Sequence, residues 1–329
     1  DMLTISDRVI HAYSLGKERN HDAIEMIKIA RQIDDSTLER EPSLITVVNA
    51  SSPLRYDTPM LQGMIEFSSR NQVVVCTPFT LAGAMAPVTV AGALAQHNAE
   101  ALAGIAFTQV VRPGAPVIYG GFTSNVDMQS GAPAFGTPEF MQTAMITGQL
   151  TRRYGIPYRS SGVNAANALD AQAAYESVFS LWGAVMGGAH MILHAVGWME
   201  GGLRASFEKM ILDADLCAMV ARFMDPIDFS EGGLALDAVR DVGPGGHFFG
   251  TQHTLERYRD AFYAPLLSDW RNYEAWEEAG RPEAKEKMIE LVDTFMASYQ
   301  KPPMDEAVRE ELEEYVERRK AEGGVPTDY

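Results

Sequence analysis

Cysteine is scarce: Cys76 and Cys217 are the only two in 329 residues. That excludes a disulfide framework and any Cys-x-x-Cys zinc site. Both stand in apolar stretches and read as inert core thiols, which points to a reducing, cytoplasmic setting. Long hydrophobic runs are missing too. None reaches the roughly eighteen uninterrupted apolar residues of a membrane helix. The start, Asp1-Met-Leu-Thr-Ile5, has no basic or apolar leader region and reads as neither a signal peptide nor a natural initiation site. Positive charge is in deficit, with 27 Lys and Arg against 44 Asp and Glu for a net charge of -17. Nucleic acids and anionic membranes both need a basic face, so neither is expected as a partner.

Familiar catalytic signatures are absent as well. No Gly-x-Gly-x-x-Gly follows a strand pattern, there is no Gly-x-Ser-x-Gly elbow or phosphate loop, and no carboxylate pair stands among the strand-end residues. His190 and His194 are four apart but lack the Glu of a His-Glu-x-x-His zinc helix, so no metal site is expected.

What is present is 46% hydrophobic residues, enough for a large core, in a regular alternation. Short apolar runs at 8–13, 43–49, 72–77, 116–121, 157–160 and 189–196 read as strands, with Ile227–Phe229 as one more. Helical spacing marks 22–33, 58–70, 88–111, 137–154, a stretch from Asp170, and 203–223. Pro at a first helical position and the Arg112-Pro-Gly114 stop punctuate them. The longest polar loops follow strands. That order predicts an α/β fold of the TIM (β/α)8 type, with a barrel over 1–240 and an aromatic-rich, helical C-terminal extension over 241–329.

In such a barrel, chemistry sits at the carboxyl ends of the strands. The residues expected there are hydroxyls, amides and rings: Asn49, Thr77, Tyr119, Ser160, Asn164, Asn167, His194, Trp198 and Glu200. Each has two readings. His190 and His194 are pocket groups or hydrogen-bonded interior histidines; Trp198 is a pocket wall or packing; Glu200 faces a cation or caps the next helix. A mouth rich in rings and poor in charge would suit a methylated ammonium, which aromatic faces hold without hydrogen bonds. Gly245-Gly-His-Phe-Phe-Gly-Thr-Gln-His253 adds His247 and, more weakly, Phe248 and His253 as pocket candidates. The rings from Tyr258 to Trp276 read as packing the extension across the barrel.

Several long segments carry a resemblance. Asn49-Ala-Ser-Ser-Pro-Leu-Arg-Tyr-Asp57, Thr77-Pro-Phe-Thr-Leu-Ala-Gly-Ala-Met-Ala-Pro-Val-Thr89, Ala95-Gln-His-Asn-Ala-Glu-Ala-Leu-Ala-Gly104, Ser124 to Pro138, Asp170 to Glu176, Gly197-Trp-Met-Glu-Gly-Gly202 and the Gly245–Gly280 region are similar to the trimethylamine methyltransferase family. The resemblance implies a TIM-barrel methyltransferase that moves a methyl group from a tertiary or quaternary amine to the cobalt of a separate corrinoid protein. No cofactor would be permanently bound, and the chain would form a homo-oligomer. Carried over, it makes Asn49, Thr77, Tyr119, Ser160, Asn164, Asn167, His194, Trp198, Glu200 and His247 the substrate-pocket set. Members acting on trimethylamine carry pyrrolysine, whereas this chain has only standard residues. Where related sequences read Gly-Leu-Thr-x-x-Lys, it has Gly162-Val-Asn-Ala-Ala-Asn167. A quaternary amine of the betaine, carnitine or choline type is therefore expected over trimethylamine. Family members also carry an earlier segment with further barrel strands, so the intact protein is expected to be longer or completed by a second chain.

Overall fold

The computed structural model describes residues 1–323. Six short strands make one sheet: β1 (Ile10–Tyr13), β2 (Leu44–Val48), β3 (Val73–Cys76), β4 (Val117–Gly120), β5 (Tyr158–Ser161) and β6 (Met191–Leu193). They pair in parallel and strictly in sequence order. A long helix follows each strand: α1 (Lys17–Arg31), α2 (Thr58–Ser69), α3 (Val90–Val111), α4 (Pro138–Tyr154), α5 (Ala171–Met186) and α6 (Phe207–Met224). Sequential order without a reversal wraps a sheet in one direction, whereas a doubly wound sheet needs a switch point. The wall is strongly curled. His11 on β1 and His194 just past β6 line one cavity, although five strand spacings across a flat sheet would separate them by about 24 Å. Among the described residues the outer edges of β1 and β6 pair with no strand, so the wall is a TIM-like partial barrel and not a closed one.

Register decides which side chains face where, because paired residues share a face and neighbours alternate. Leu44, Val48, Val74, Cys76 and Tyr119 point outward and pack with Ile24, Leu38, Met64 and Phe67 from the helical layer. This is the main core, and a fully buried Phe67 or Met64 contributes about 1.5–3 kcal/mol. The opposite parity puts His11, Val47, Arg159 and Leu193 inside the curl. Caps fix where the helices begin. Asp57 accepts from Met60 N–H before Pro59, Thr137 accepts from Phe140 N–H before Pro138, and Asp170 accepts from Gln172 N–H.

The structure differs from the sequence reading in three places. Ile227–Phe229 forms no strand; it follows Pro226 beyond α6, where no sheet edge is offered, and both large side chains are exposed. The last barrel strand is shorter than 189–196 because His194 turns left-handed at φ 57°. The helix expected from 203 starts at Phe207, where Ser206 caps Lys209 N–H, and the preceding residues form a tight turn and a two-residue strand pair.

The C-terminal region ties the two ends of the wall together. Helix α7 (Ala284–Ser298) packs on α6, burying Met288 with Ile211 and Leu267. Helix α8 (Glu306–Ala321) packs on α1, where Tyr315 Oη and Arg319 Nε donate to Asp22 at 2.7 and 2.8 Å. The rings expected to pack across the barrel do so only in part. Phe262 and Trp270 stay largely exposed, and the contact is carried by Tyr263, Leu266 and Leu267, all of which donate to the buried Asp215 carboxylate on α6.

Candidate active site

A cavity of about 330 Å³ lies inside the curl at the carboxyl end of the strands. That volume suits a small molecule. Its floor is made by residues within strands, chiefly His11, Val47 and Arg159. Its walls come from residues just past strand ends: Asn49 and Thr77, the rings Phe79, Phe122 and Trp198, and His194. A small accessory sheet places the phenylalanines. Thr80–Ala82 pairs with Thr123–Val126, which pairs with Pro133–Ala134, so the loops after β3 and β4 are stitched together. Phe79 then lies 5.2 Å from Phe122 and 6.4 Å from Phe135, with Phe122 and Phe135 at 5.6 Å (ring centroids). On the other wall, Trp198 packs against His194, with ring centroids 4.1 Å apart and planes inclined by 44°.

Two glycines make these approaches possible. A Cβ on Gly202 (φ 101°) would fall 2.4 Å from the Trp198 ring, so glycine lets the turn lie flat against the indole. A Cβ on Gly120 would overlap Thr77 Oγ1, so glycine leaves room for that hydroxyl beside Arg159, its partner in register.

Carboxylates close to the site are used to hold loops. Glu100 of α3 accepts from Leu54 N–H and Ser52 Oγ, fixing the loop after β2. Glu176 of α5 accepts from the N–H groups of Ala165 and Ala166 after β5. Asp213 of α6 accepts from Gly197 N–H at 2.9 Å and pairs with the fully buried Lys209, which also donates to Ser177. Burial pulls Lys209 down and Asp213 up, and their ion pair opposes both shifts. None of these acids lines the cavity.

The electrostatics follow from burial. The His194 imidazole is pushed down to about 3, mainly by burial and further by Arg159. Burial and Arg159 also lower His11. Both rings are therefore neutral at neutral pH. Burial lowers Arg159 only to about 10, so it keeps its charge. Arg159 is 1% exposed. Its Nη2 lies 3.4 Å from His194 Nδ1, and its guanidinium carbon 5.3 Å from the Phe122 centroid. Its Nε and Nη1 meet no hydrogen-bond acceptor among the described residues, and Thr77 Oγ1, Trp198 Nε1 and His11 Nε2 are likewise unpartnered. The cavity thus presents one positive charge, several free donors and aromatic faces, and no carboxylate.

Of the ten residues expected from sequence, Asn49, Thr77, His194 and Trp198 line this cavity. The other six do not. Tyr119 and Ser160 have the outward parity of their strands; Tyr119 joins the helix-facing core and donates to Asn98. Asn164 is buried behind the wall, donating to Ser177, while its carbonyl accepts from Gly201 N–H. Asn167 is exposed. Glu200 pairs with Arg204 at 2.6 Å, and its N–H donates to Ala166. His247 is exposed beside Phe249, and His253 lines a separate surface groove with Glu231 and Arg257. His190, the other strand histidine, accepts from Tyr158 N–H and is structural. Phe79 and Phe122, which the sequence also places at strand ends, line the cavity as well, whereas Arg159 and His11 were passed over. The signal for Arg159 was a lone charge between Tyr158 and Ser160 in a buried strand, one position out of phase with the helix-facing side chains.

With this geometry in view, comparison with known proteins is informative. Residues 1–324 match the family described as trimethylamine methyltransferase (MTTB). A glycine betaine methyltransferase of Desulfitobacterium hafniense (strain Y51) is 35% identical over 320 residues, 97% of this chain and 66% of that protein. The trimethylamine methyltransferase MttB2 of Methanosarcina mazei is 28% identical over 286 residues, 87% of this chain and 57% of that protein. MttB of Methanosarcina barkeri (strain Fusaro) matches to the same extent. The chain spans 57–66% of the length of these relatives. A family match over almost the whole sequence, on a curled parallel wall with a ring-lined cavity at its strand ends, makes this chain a member of the trimethylamine methyltransferase family.

Proposed function

We propose that this chain forms the substrate-binding wall of a methyltransferase that moves a methyl group from a quaternary amine of the betaine type to the cobalt of a separate corrinoid protein. The observation that carries this reading is the chemical character of the cavity: aromatic faces, two neutral histidines and no carboxylate among its lining residues. A quaternary nitrogen needs no proton to leave. When the N–CH3 bond breaks, both electrons stay on nitrogen and the product is a neutral tertiary amine, so an acid–base pair has nothing to do. Phe79 and Trp198 offer ring faces to the ammonium, an attraction that grows as water is excluded. Their fixed geometry orients the methyl group without reorganisation at the moment of transfer.

The corrinoid would supply a reduced cobalt nucleophile when its carrier protein docks. A cavity of about 330 Å³ holds a methylated amine but not a corrin macrocycle. That favours a cofactor brought by a partner to the strand-end mouth over one bound within the wall. The test is incubation of the intact protein with glycine betaine and reduced corrinoid protein, following loss of the Co(I) absorbance and formation of dimethylglycine. Stoichiometric appearance of both is expected. Betaine binding with no transfer would replace this reading with that of a non-catalytic binding protein, and transfer from trimethylamine alone would return the chain to the trimethylamine class.

A further inference from the structure

We infer that Arg159 is an anion subsite at the cavity floor that selects zwitterionic substrates, in which a carboxylate is carried on the same molecule as the methylated ammonium. This rests on the amine-methyltransferase reading above and narrows its substrate class. A guanidinium buried to 1% exposure is costly unless paired and hydrogen-bonded. Structural arginines at such depth have a carboxylate or carbonyls around the fork. Here Nε and Nη1 find no acceptor among the described residues, Nη2 has only its 3.4 Å approach to His194 Nδ1, and no carboxylate lines the cavity. Nε and Nη1 each form a bidentate edge with Nη2, Nε on one side and Nη1 on the other, and either edge matches the spacing of two carboxylate oxygens, the arrangement in which arginine binds most strongly. The neutral His194 reinforces the assignment, since Nη2 of the fork rests on its Nδ1 and neither histidine competes for an anion as a second cation.

Depth adds orientation. Arg159 lies within β5, whereas Phe79, Phe122 and Trp198 follow strand ends. A zwitterion anchored by its carboxylate on the floor therefore holds its ammonium among the rings, with the methyl groups toward the mouth. The same charge works against substrates that lack the anion. Choline and tetramethylammonium would place a cation in a cavity whose only formal charge is positive. Phe122 is partly consumed as well, because its ring already lies against the guanidinium.

The test is calorimetric titration of the intact protein with glycine betaine, choline and tetramethylammonium, in the wild type and in Arg159→Gln and Arg159→Lys. In the wild type, betaine should bind at least about tenfold more tightly than choline, as a charge-assisted bidentate contact implies. Arg159→Gln should remove that preference by lowering betaine affinity about tenfold to a hundredfold while choline binding holds or improves. Arg159→Lys should retain part of it. Acetate should compete with betaine on the wild type, a readout that needs no variant to fold. Equal affinity for betaine and choline, equal loss of both in Arg159→Gln, or no competition by acetate would each overturn the assignment. Selective betaine binding without methyl transfer would sink the catalytic reading and leave this one standing.

Discussion

Trp198 shows how much of the cavity is decided by single residues. Gly197 N–H is held by Asp213, Gly197 C=O accepts from Ser206 N–H, and Gly202 lies flat on the indole, so the backbone before the ring is fixed and one of its faces is covered. Replacing Trp198 with Ala should weaken binding of a quaternary ammonium by more than ~1 kcal/mol, while Trp198→Phe should restore most of it, because a ring face is what is lost. Unchanged titration curves for the Ala variant would remove Trp198 from the ammonium site. Trp198, His194, Thr77 and Asn49 were legible in the sequence because each stands at the carboxyl end of a strand pattern or just past it. Arg159 was not, since strand position alone does not say which parity faces inward. Tyr119 and Ser160 were misplaced for the same reason, as hydroxyls that belong to the helix-facing side. His247 drew notice for its company of rings, but no element carries that segment to the strand ends.

At the scale of elements, the alternation of apolar runs and helical periods revealed all six barrel strands and the helices between them. Their boundaries shifted where a cap or a left-handed residue intervened, as at Ser206 and His194. The sequence did not reveal the device that repeats along the wall, in which a carboxylate from the following helix reaches back to hold the preceding loop. Glu176 and Asp213 do this for the last two units, Glu100 of α3 does it for the loop after β2 one unit back, and in each case the partners include backbone N–H groups that no side-chain pattern advertises. Asp213 is the strongest case because it also compensates the buried Lys209. Asp213→Asn should destabilise the fold by about 3–5 kcal/mol, since it leaves an ammonium uncompensated in the interior. The double change Lys209→Met with Asp213→Leu should recover much of that stability, as apolar replacements of buried pairs often do. It would still lack the acceptor for Gly197 N–H, so ammonium affinity should stay weakened after the urea midpoint has recovered. Full recovery of both would make the pair purely structural.

Across the whole molecule, burial of histidines is set against a strongly acidic surface. His97 is sealed between Thr80 Oγ1 and the Gly120 carbonyl, and burial lowers it to about 4; His194 falls to about 3, and His11 is lowered in the same direction. A histidine whose folded pKa lies below its unfolded value, near 6.5, binds fewer protons in the native state. Stability then rises with pH between the two values and is lost as pH falls below about 6.5. His97 and His194 alone would remove about 2–3 kcal/mol between pH 7 and pH 5.5. The net charge of -17 acts the other way, because protonating surface carboxylates relieves self-repulsion. Those carboxylates titrate mainly near pH 4, however, so between pH 7 and 5.5 the histidines dominate. Chemical denaturation across this window should therefore show stability falling with acidity, although the protein moves toward a smaller net charge. In His97→Gln the absolute stability drops, but the slope against pH should become shallower by roughly a third to a half, because one of the three neutral histidines no longer contributes. An unchanged slope would mean that His97 is protonated in the folded protein, and its bond to the Gly120 carbonyl would then be that of an imidazolium.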